Sequence, residues 1–201
     1  MKELIFATHN KHKAIEIQAI LPVHFRVLTL DQAGITEDIP EDQDTLEGNA
    51  LQKARYVYKR MSVDCFADDT GLEVSALKGD PGVYSARFAE MTGERMPHED
   101  IPAANIRKLL KLMEGVSNRS ARFRTIIALI IGGEEYTFEG IVQGEIIEEM
   151  RGEKGFGYDP VFLPEGNDET FAEMSQHEKN KLSHRARAVY RLVEFLKNFG
   201  G

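Results

Sequence analysis

Short apolar segments alternate with helix-patterned ones through the first half of this chain, and a paired-strand pattern follows; that order constrains the fold more than any other feature. Leu4-Ile5-Phe6-Ala7 reads as a buried strand that ends in polar Thr8-His9-Asn10-Lys11-His12-Lys13. A helix follows with Ile17, Ile20 and Leu21 on one face, ended by Pro22. Asp44 with Glu47 has the spacing of a capping box, opening a second helix that runs to about Tyr58. Residues 63–67 read as a buried strand entering Asp68-Asp69-Thr70-Gly71, where Gly71 supplies a turn; Leu72, Val74 and Ala76 then alternate as in a half-exposed strand. Lys78-Gly79-Asp80-Pro81-Gly82 is a turn, and Ile106, Leu109, Leu110 and Met113 mark a third helix stopped by Gly115. Residues 122–131, Gly132-Gly133 and residues 134–138 form a hairpin pattern, and residues 141–147 add another strand. The tail is helical, with Val189, Leu192, Val193 and Leu196 at core spacing. Alternation followed by a hairpin predicts a mixed sheet with helices on its faces, an α/β or α+β fold.

The 201 residues suit one domain, taken as 1–201, or two lobes sharing a core. Twenty-five basic against 33 acidic residues leave a net charge of −8, which argues against a protein held on nucleic acid by general charge. The single cysteine, Cys65, allows no internal disulfide and no cysteine-built zinc site, and suits a reducing compartment. The longest apolar run, Ile126-Ile127-Ala128-Leu129-Ile130-Ile131, is far short of the ~20 residues that cross a bilayer. The expected protein is soluble and cytoplasmic, with no membrane partner.

Four segments carry chemistry. Thr8-His9-Asn10-Lys11-His12-Lys13 lies where a strand turns into a helix, a place where backbone N–H groups and the helix dipole favour phosphate. Lys13 adds a charge, and Thr8 and Asn10 add neutral donors; the plainer reading is a basic solvated loop. Asp68 and Asp69 follow an apolar strand, where two carboxylates are costly unless they meet cations or backbone donors. One is expected to hold metal or act as a base while the other braces the site; the plainer reading is an Asx turn. In Gly155-Phe156-Gly157-Tyr158-Asp159-Pro160, glycines flank aromatics on which a flat ligand can stack, with Asp159 accepting from a ring N–H. Aromatics tucked into the core are the alternative. Ser175 with Glu178 makes a capping box, and Ser183 is a second N-cap that places His184 and Arg185 in a first helical turn. Cations there oppose the helix dipole, a placement better understood if an anion or carbonyl oxygen sits beside them. His24, His98 and Cys65 read as ordinary core or surface residues.

Together these segments, with Asn49-Ala50 and Lys53 and with Pro81-Gly82-Val83-Tyr84-Ser85-Ala86-Arg87, resemble in order the Ham1/RdgB family of inosine triphosphate pyrophosphatases. The resemblance runs from residue 4 to about residue 196. It implies an elongated mixed sheet flanked by helices, two lobes around a central cleft, and a homodimer. It also implies Mg²⁺-dependent hydrolysis of non-standard purine nucleoside triphosphates (dITP, ITP, XTP) to monophosphate and pyrophosphate, which cleans the nucleotide pool. Carried over by position, Thr8, His9, Asn10, Lys11, His12, Lys13, Lys53 and Thr70 bind the triphosphate. Glu41 and Asp69 are the metal carboxylates, and Asp69, or its neighbour Asp68, is the general base. Phe156, Gly157, Tyr158 and Asp159 form the base strip, with Lys179, His184 and Arg185 closing over it; Arg185 donates to purine O6 and Asp159 accepts from N1–H. Two positions depart from the family pattern. His9 stands where many members have glycine, and Pro40-Glu41-Asp42-Gln43 leaves Asp42 open as the metal ligand in place of Glu41. A Maf-like pyrophosphatase of pyrimidine triphosphates, a nucleotide-binding regulator that does not hydrolyse, and a phosphatase releasing single phosphates are the rival readings.

Overall fold

The apolar residues 4–6 form the inner part of the first strand, β1 (Lys2–Phe6), and Leu4 and Phe6 are completely buried. The computed structural model describes residues 2–198. The other strands are β2 (Phe25–Thr29), β3 (Cys65–Val74), β4 (Ser120–Ile131), β5 (Glu134–Ile146) and β6 (Phe162–Pro164). They hydrogen-bond in the order β2-β1-β3-β4-β5-β6, with β1 parallel to β2 and β3, and β6 antiparallel to β5. The α-helices are α1 (Lys11–Ile20), α2 (Leu46–Met61), α3 (Ile101–Leu112), α4 (Gln176–Leu182) and α5 (His184–Asn198). The mixed α/β class read from the alternation is therefore the observed one.

The chain divides into two compact units. The first takes residues up to Asp69, residues 125–140 and those from His184 onward; the second takes residues 70–124 and 141–183. In the first, Leu4, Phe6, Ile17, Phe66, Ile127 and Leu192 belong to one core, and the Phe6 and Phe66 rings stack at 4.6 Å. In the second, Leu72, Leu109, Phe123, Phe162 and Phe171 belong to another. The hairpin expected at Gly132-Gly133 is present, and both glycines have positive φ, as a two-residue β-turn of this kind needs. Among the described residues, no helix is long and apolar enough to cross a membrane.

Three local readings are corrected. The strand at 63–67 and the alternating segment after it join in one strand, β3, from Cys65 to Val74, so Gly71 makes no turn, and Ala76 falls in a 3-10 turn beyond the strand. Strand pairing and the cationic partners of the two aspartates remove any need for the chain to bend there. The second helix is capped by Thr45, whose hydroxyl accepts from Gly48 N, and the Asp44–Glu47 capping box is not formed. Residues 134–138 and 141–147 are also one strand, β5, broken nowhere at Gly140. Gly140 is instead a point of close approach: a Cβ there would collide with the carbonyl oxygen of His184 and stand 2.6 Å from Ala188 N. Strands β2 and β6 carry too little alternation to have been read from the chain. The capping box of Ser175 with Glu178 and the restart of the helix after Ser183 are both present.

Because those obstacles are backbone atoms of α5, Gly140→Ala should destabilise the protein by about 1–3 kcal/mol, as overpacking does. Urea unfolding monitored by circular dichroism checks this, and an unchanged midpoint would show that α5 shifts without penalty.

Candidate active site

Adjacent residues of a strand point to opposite faces, and the two aspartates of β3 follow that rule into different surroundings. Asp68, 1% exposed, accepts from Lys13 Nζ at 2.9 Å and from Arg185 Nε at 3.3 Å. Arg185, 2% exposed, also pairs with Glu16. Burial alone would raise the Asp68 carboxyl, but the charges of Lys13 and Arg185 hold it well below the usual carboxylate range. Asp68 is thus held as an anion and is a poor proton acceptor. Asp69 accepts from Asn49 Nδ2 at 3.2 Å and lies 3.5 Å from Lys53 Nζ. Burial raises its carboxyl above the ordinary value despite the nearby Lys53 and Lys13, and Glu41 adds to the rise. Of the two, Asp69 is the better base.

The local sequence explains the convergence. Asn49 and Lys53 are four apart on α2 and share a face. Asn49 Oδ1 accepts from Gln43 N at 2.9 Å, which ties the loop ahead of the helix to Asp69. On that loop Glu41 Oε1 accepts from Lys53 Nζ at 2.6 Å, while Asp42 is turned to Gln43 and Gln52 and is exposed. Glu41, then, is the carboxylate that shares a cation with Asp69. Two carboxylates facing one ammonium offer oxygen donors of the hard kind a divalent ion takes, a sparse set that other ligands would have to complete.

Lys13 is positioned by α1, whose N-cap Asn10 accepts from His12 N and Lys13 N through Oδ1. Thr8 Oγ1 accepts from Asn10 N. Side chains expected only as donors therefore also serve as acceptors for the loop's own N–H groups. Lys11 and His12 are exposed on the first turn of α1. His9, the departure from the family pattern, lies between two acceptors: Nδ1 is 2.8 Å from Asp31 Oδ1 and Nε2 is 3.2 Å from the Glu37 carbonyl. Two acceptors favour the doubly protonated ring, and the bond to Glu37 is the main cause of its raised pKa.

In α5, His184 is buried with Nδ1 2.6 Å from Thr125 Oγ1. The anions expected beside this helix start are Asp68 and Glu16, both from the protein itself. Both hold the buried Arg185 guanidinium. Glu16 escaped the sequence reading; its signal was an acidic residue three positions after Lys13 on the face shared with Ile17 and Ile20. Asn49 was noted without a role, and its signal was the four-residue spacing to Lys53.

In the second unit, Asp159 is buried and its Oδ2 accepts from Phe156 N and from Lys179 Nζ, each at 2.8 Å. Lys179 Nζ lies 5.0 Å from the Phe156 ring centroid. Gly155 has φ +76, and a Cβ there would stand 2.9 Å from Asp159 Cγ, so only glycine lets the turn close on that carboxylate. Phe156 and Gly157 are half-buried. Tyr158 is buried in the core of this unit, and its hydroxyl donates to the Ser85 carbonyl at 3.0 Å. Thr70 is half-buried within β3.

Comparison with known proteins finds a match to the Ham1 family over residues 4–195. A dITP/XTP pyrophosphatase of Porphyromonas gingivalis is 53% identical over 98% of each chain, and one of Flavobacterium johnsoniae is 50% identical over 96% of this chain and 97% of its own. Among solved structures, the Ham1 protein of Staphylococcus aureus has a TM-score of 0.86 at 36% identity, covering 98% of this chain and all of that one. The HAM1 protein of Coxiella burnetii has a TM-score of 0.87 at 34% identity, with the same coverage.

Two predictions follow from the charges. Glu16→Ala, which takes one of its carboxylate partners from buried Arg185, should reduce stability by about 3 kcal/mol in urea unfolding. Because the folded-state pKa of His9 is raised, its contribution is fully present below the ordinary histidine value of 6.5 and is lost as pH rises through the folded value. The melting temperature of the wild type should therefore fall relative to His9→Gln between pH 6 and pH 8; parallel curves would show that His9 is not charged in the fold.

Proposed function

The chain belongs to the Ham1 family, and from that membership and the site just described we propose that it hydrolyses non-standard purine nucleoside triphosphates to monophosphate and pyrophosphate. The observation that carries the reading is the division of labour on β3, where Asp68 is neutralised by Lys13 and Arg185 while Asp69 keeps a raised carboxyl beside Lys53 and Glu41.

In this reading water attacks the α-phosphorus, the bond from phosphorus to the α–β bridging oxygen breaks, and pyrophosphate leaves. Asp69 takes the proton of the water. Lys13 and Lys53, with the N-terminal end of α1, offset the charge on the triphosphate and on the departing pyrophosphate. Thr8, His9 and Asn10 shape that loop, and Lys11, His12 and Thr70 add its outer contacts. Asn49 keeps Asp69 oriented through Oδ2. Glu41 and Asp69 would hold a divalent cation such as Mg²⁺, which when bound neutralises phosphate charge and makes water more acidic.

Selectivity follows from the polar edge of the purine. Hypoxanthine and xanthine offer an O6 acceptor and an N1–H donor. Asp159 accepting from N1–H and Lys179 donating to O6 suit that pair, with Phe156 and Gly157 offering the flat surface. Adenine presents an amino donor and a bare N1, and each unpaired buried group costs about 1–3 kcal/mol. His184 fixes the start of α5 and with it Arg185. A homodimer and a cytoplasmic location complete the reading, the latter supported by the buried, unreactive Cys65, whose thiol burial pushes up to about 12.

Incubation with ITP, XTP, ATP, dTTP and UTP plus Mg²⁺, assayed separately for pyrophosphate and orthophosphate, tests the proposal. Pyrophosphate from ITP and XTP is expected. Preference for dTTP or UTP would favour a Maf-like enzyme, orthophosphate a phosphatase, and no turnover a binding regulator. Asp69→Asn should keep the wild-type circular dichroism spectrum and lose turnover by about 100-fold or more.

A further inference from the structure

Lys53 occupies the place where a cation would be held. The residue is 5% exposed, and its ammonium donates to Glu41 Oε1 at 2.6 Å and stands 3.5 Å from Asp69 Oδ1. Asn49, one helical turn earlier, holds the other oxygen of Asp69, so the carboxylate cannot swing away from Lys53 without breaking that bond. Asp42 is turned to Gln43 and Gln52. Among the described residues no group of three or more His, Cys, Asp or Glu side chains is arranged to hold a metal ion. Two carboxylates are a sparse set for a divalent cation, and here an ammonium already shares them. A second ammonium, that of Lys13, sits on the neighbouring Asp68 at 2.9 Å. A divalent cation entering alone would face repulsion from the Lys53 ammonium at contact distance. A polyphosphate changes that balance. It brings anionic oxygens to which a flexible lysine can transfer, and it supplies ligands to the metal as well.

We propose that Lys53 is an exchangeable counter-ion, seated on the Glu41–Asp69 pair in the absence of nucleotide and moving to the polyphosphate when one binds, so that the chain takes up its divalent cation together with the triphosphate. The inference rests on reading Glu41 and Asp69 as the metal carboxylates. It makes Lys53 the residue that sets the order of binding, beyond its contribution to phosphate affinity.

The test is Mn²⁺ binding to the full chain without nucleotide, followed by electron paramagnetic resonance of the free ion. Wild type should bind weakly, and Lys53→Met should bind at least about tenfold more tightly, because the competing charge is gone. Adding Asp69→Asn to Lys53→Met should abolish the gain. If Lys53→Met binds no more tightly than wild type while Asp69→Asn weakens binding, the exchange is overturned and the carboxylate reading survives. If Mn²⁺ binding ignores Asp69 in both backgrounds, the carboxylate reading itself fails. A measurement on wild type guards against a misfolded variant: the Lys53 side-chain ¹⁵N resonance should shift with Mg²⁺ plus a non-hydrolysable α,β-methylene triphosphate, and a shift of equal size with Mg²⁺ alone would overturn the exchange.

Discussion

Burying two adjacent carboxylates in the middle of a sheet is the constraint from which the first unit is organised. Each would be expensive alone, and their proximity adds repulsion. Strand alternation separates them, sending Asp68 toward Lys13 and Arg185 and Asp69 toward Asn49 and Lys53. These partners come from three different helices: Lys13 from α1, Asn49 and Lys53 from α2, and Arg185 from α5. The charge pairs therefore specify where each helix start must lie against the sheet. A buried ion pair often adds little net stability against an apolar substitute, so what the pairs contribute here is better described as register.

The same arrangement makes the two aspartates chemically unlike. Asp68, enclosed by two cations, stays ionised; Glu16 completes the balance by taking the remaining charge of Arg185. Asp69 shares Lys53 with Glu41 and is left as the more basic carboxylate. Neighbours in sequence thus acquire different proton affinities because adjacent side chains on a strand enter different surroundings. Gly140 belongs to the same design, since the close passage of β5 against the first turn of α5 is where His184 and Arg185 are set.

The second unit solves a comparable problem with a turn in place of a strand. Asp159 is buried and satisfied by a backbone N–H and by Lys179, and the absence of a side chain at Gly155 is what lets the turn fold onto the carboxylate. Of the two aromatics in that turn, Tyr158 goes to the core because its hydroxyl finds a carbonyl partner there, while Phe156 stays half-buried beside the lysine.

Much of this was legible in the chain itself. The strand–helix alternation, the Gly132-Gly133 hairpin, the Ser175 capping box and the motif order are local patterns, and local sterics and hydrogen bonding act within a few residues of where they are written. The residue types needed for phosphate, cation and purine chemistry are equally plain in the segments around Lys13, Asp69 and Asp159. What the tertiary structure alone decided is which charge meets which. That Asp68 is paired with Lys13 and Arg185 while Asp69 keeps a raised carboxyl, that Arg185 pairs with Glu16 as well, that Glu41 and not Asp42 meets Lys53, and that Gly140 is a contact and not a break all depend on residues distant along the chain. Electrostatics and packing depend on distance in space, and a linear pattern does not contain that distance.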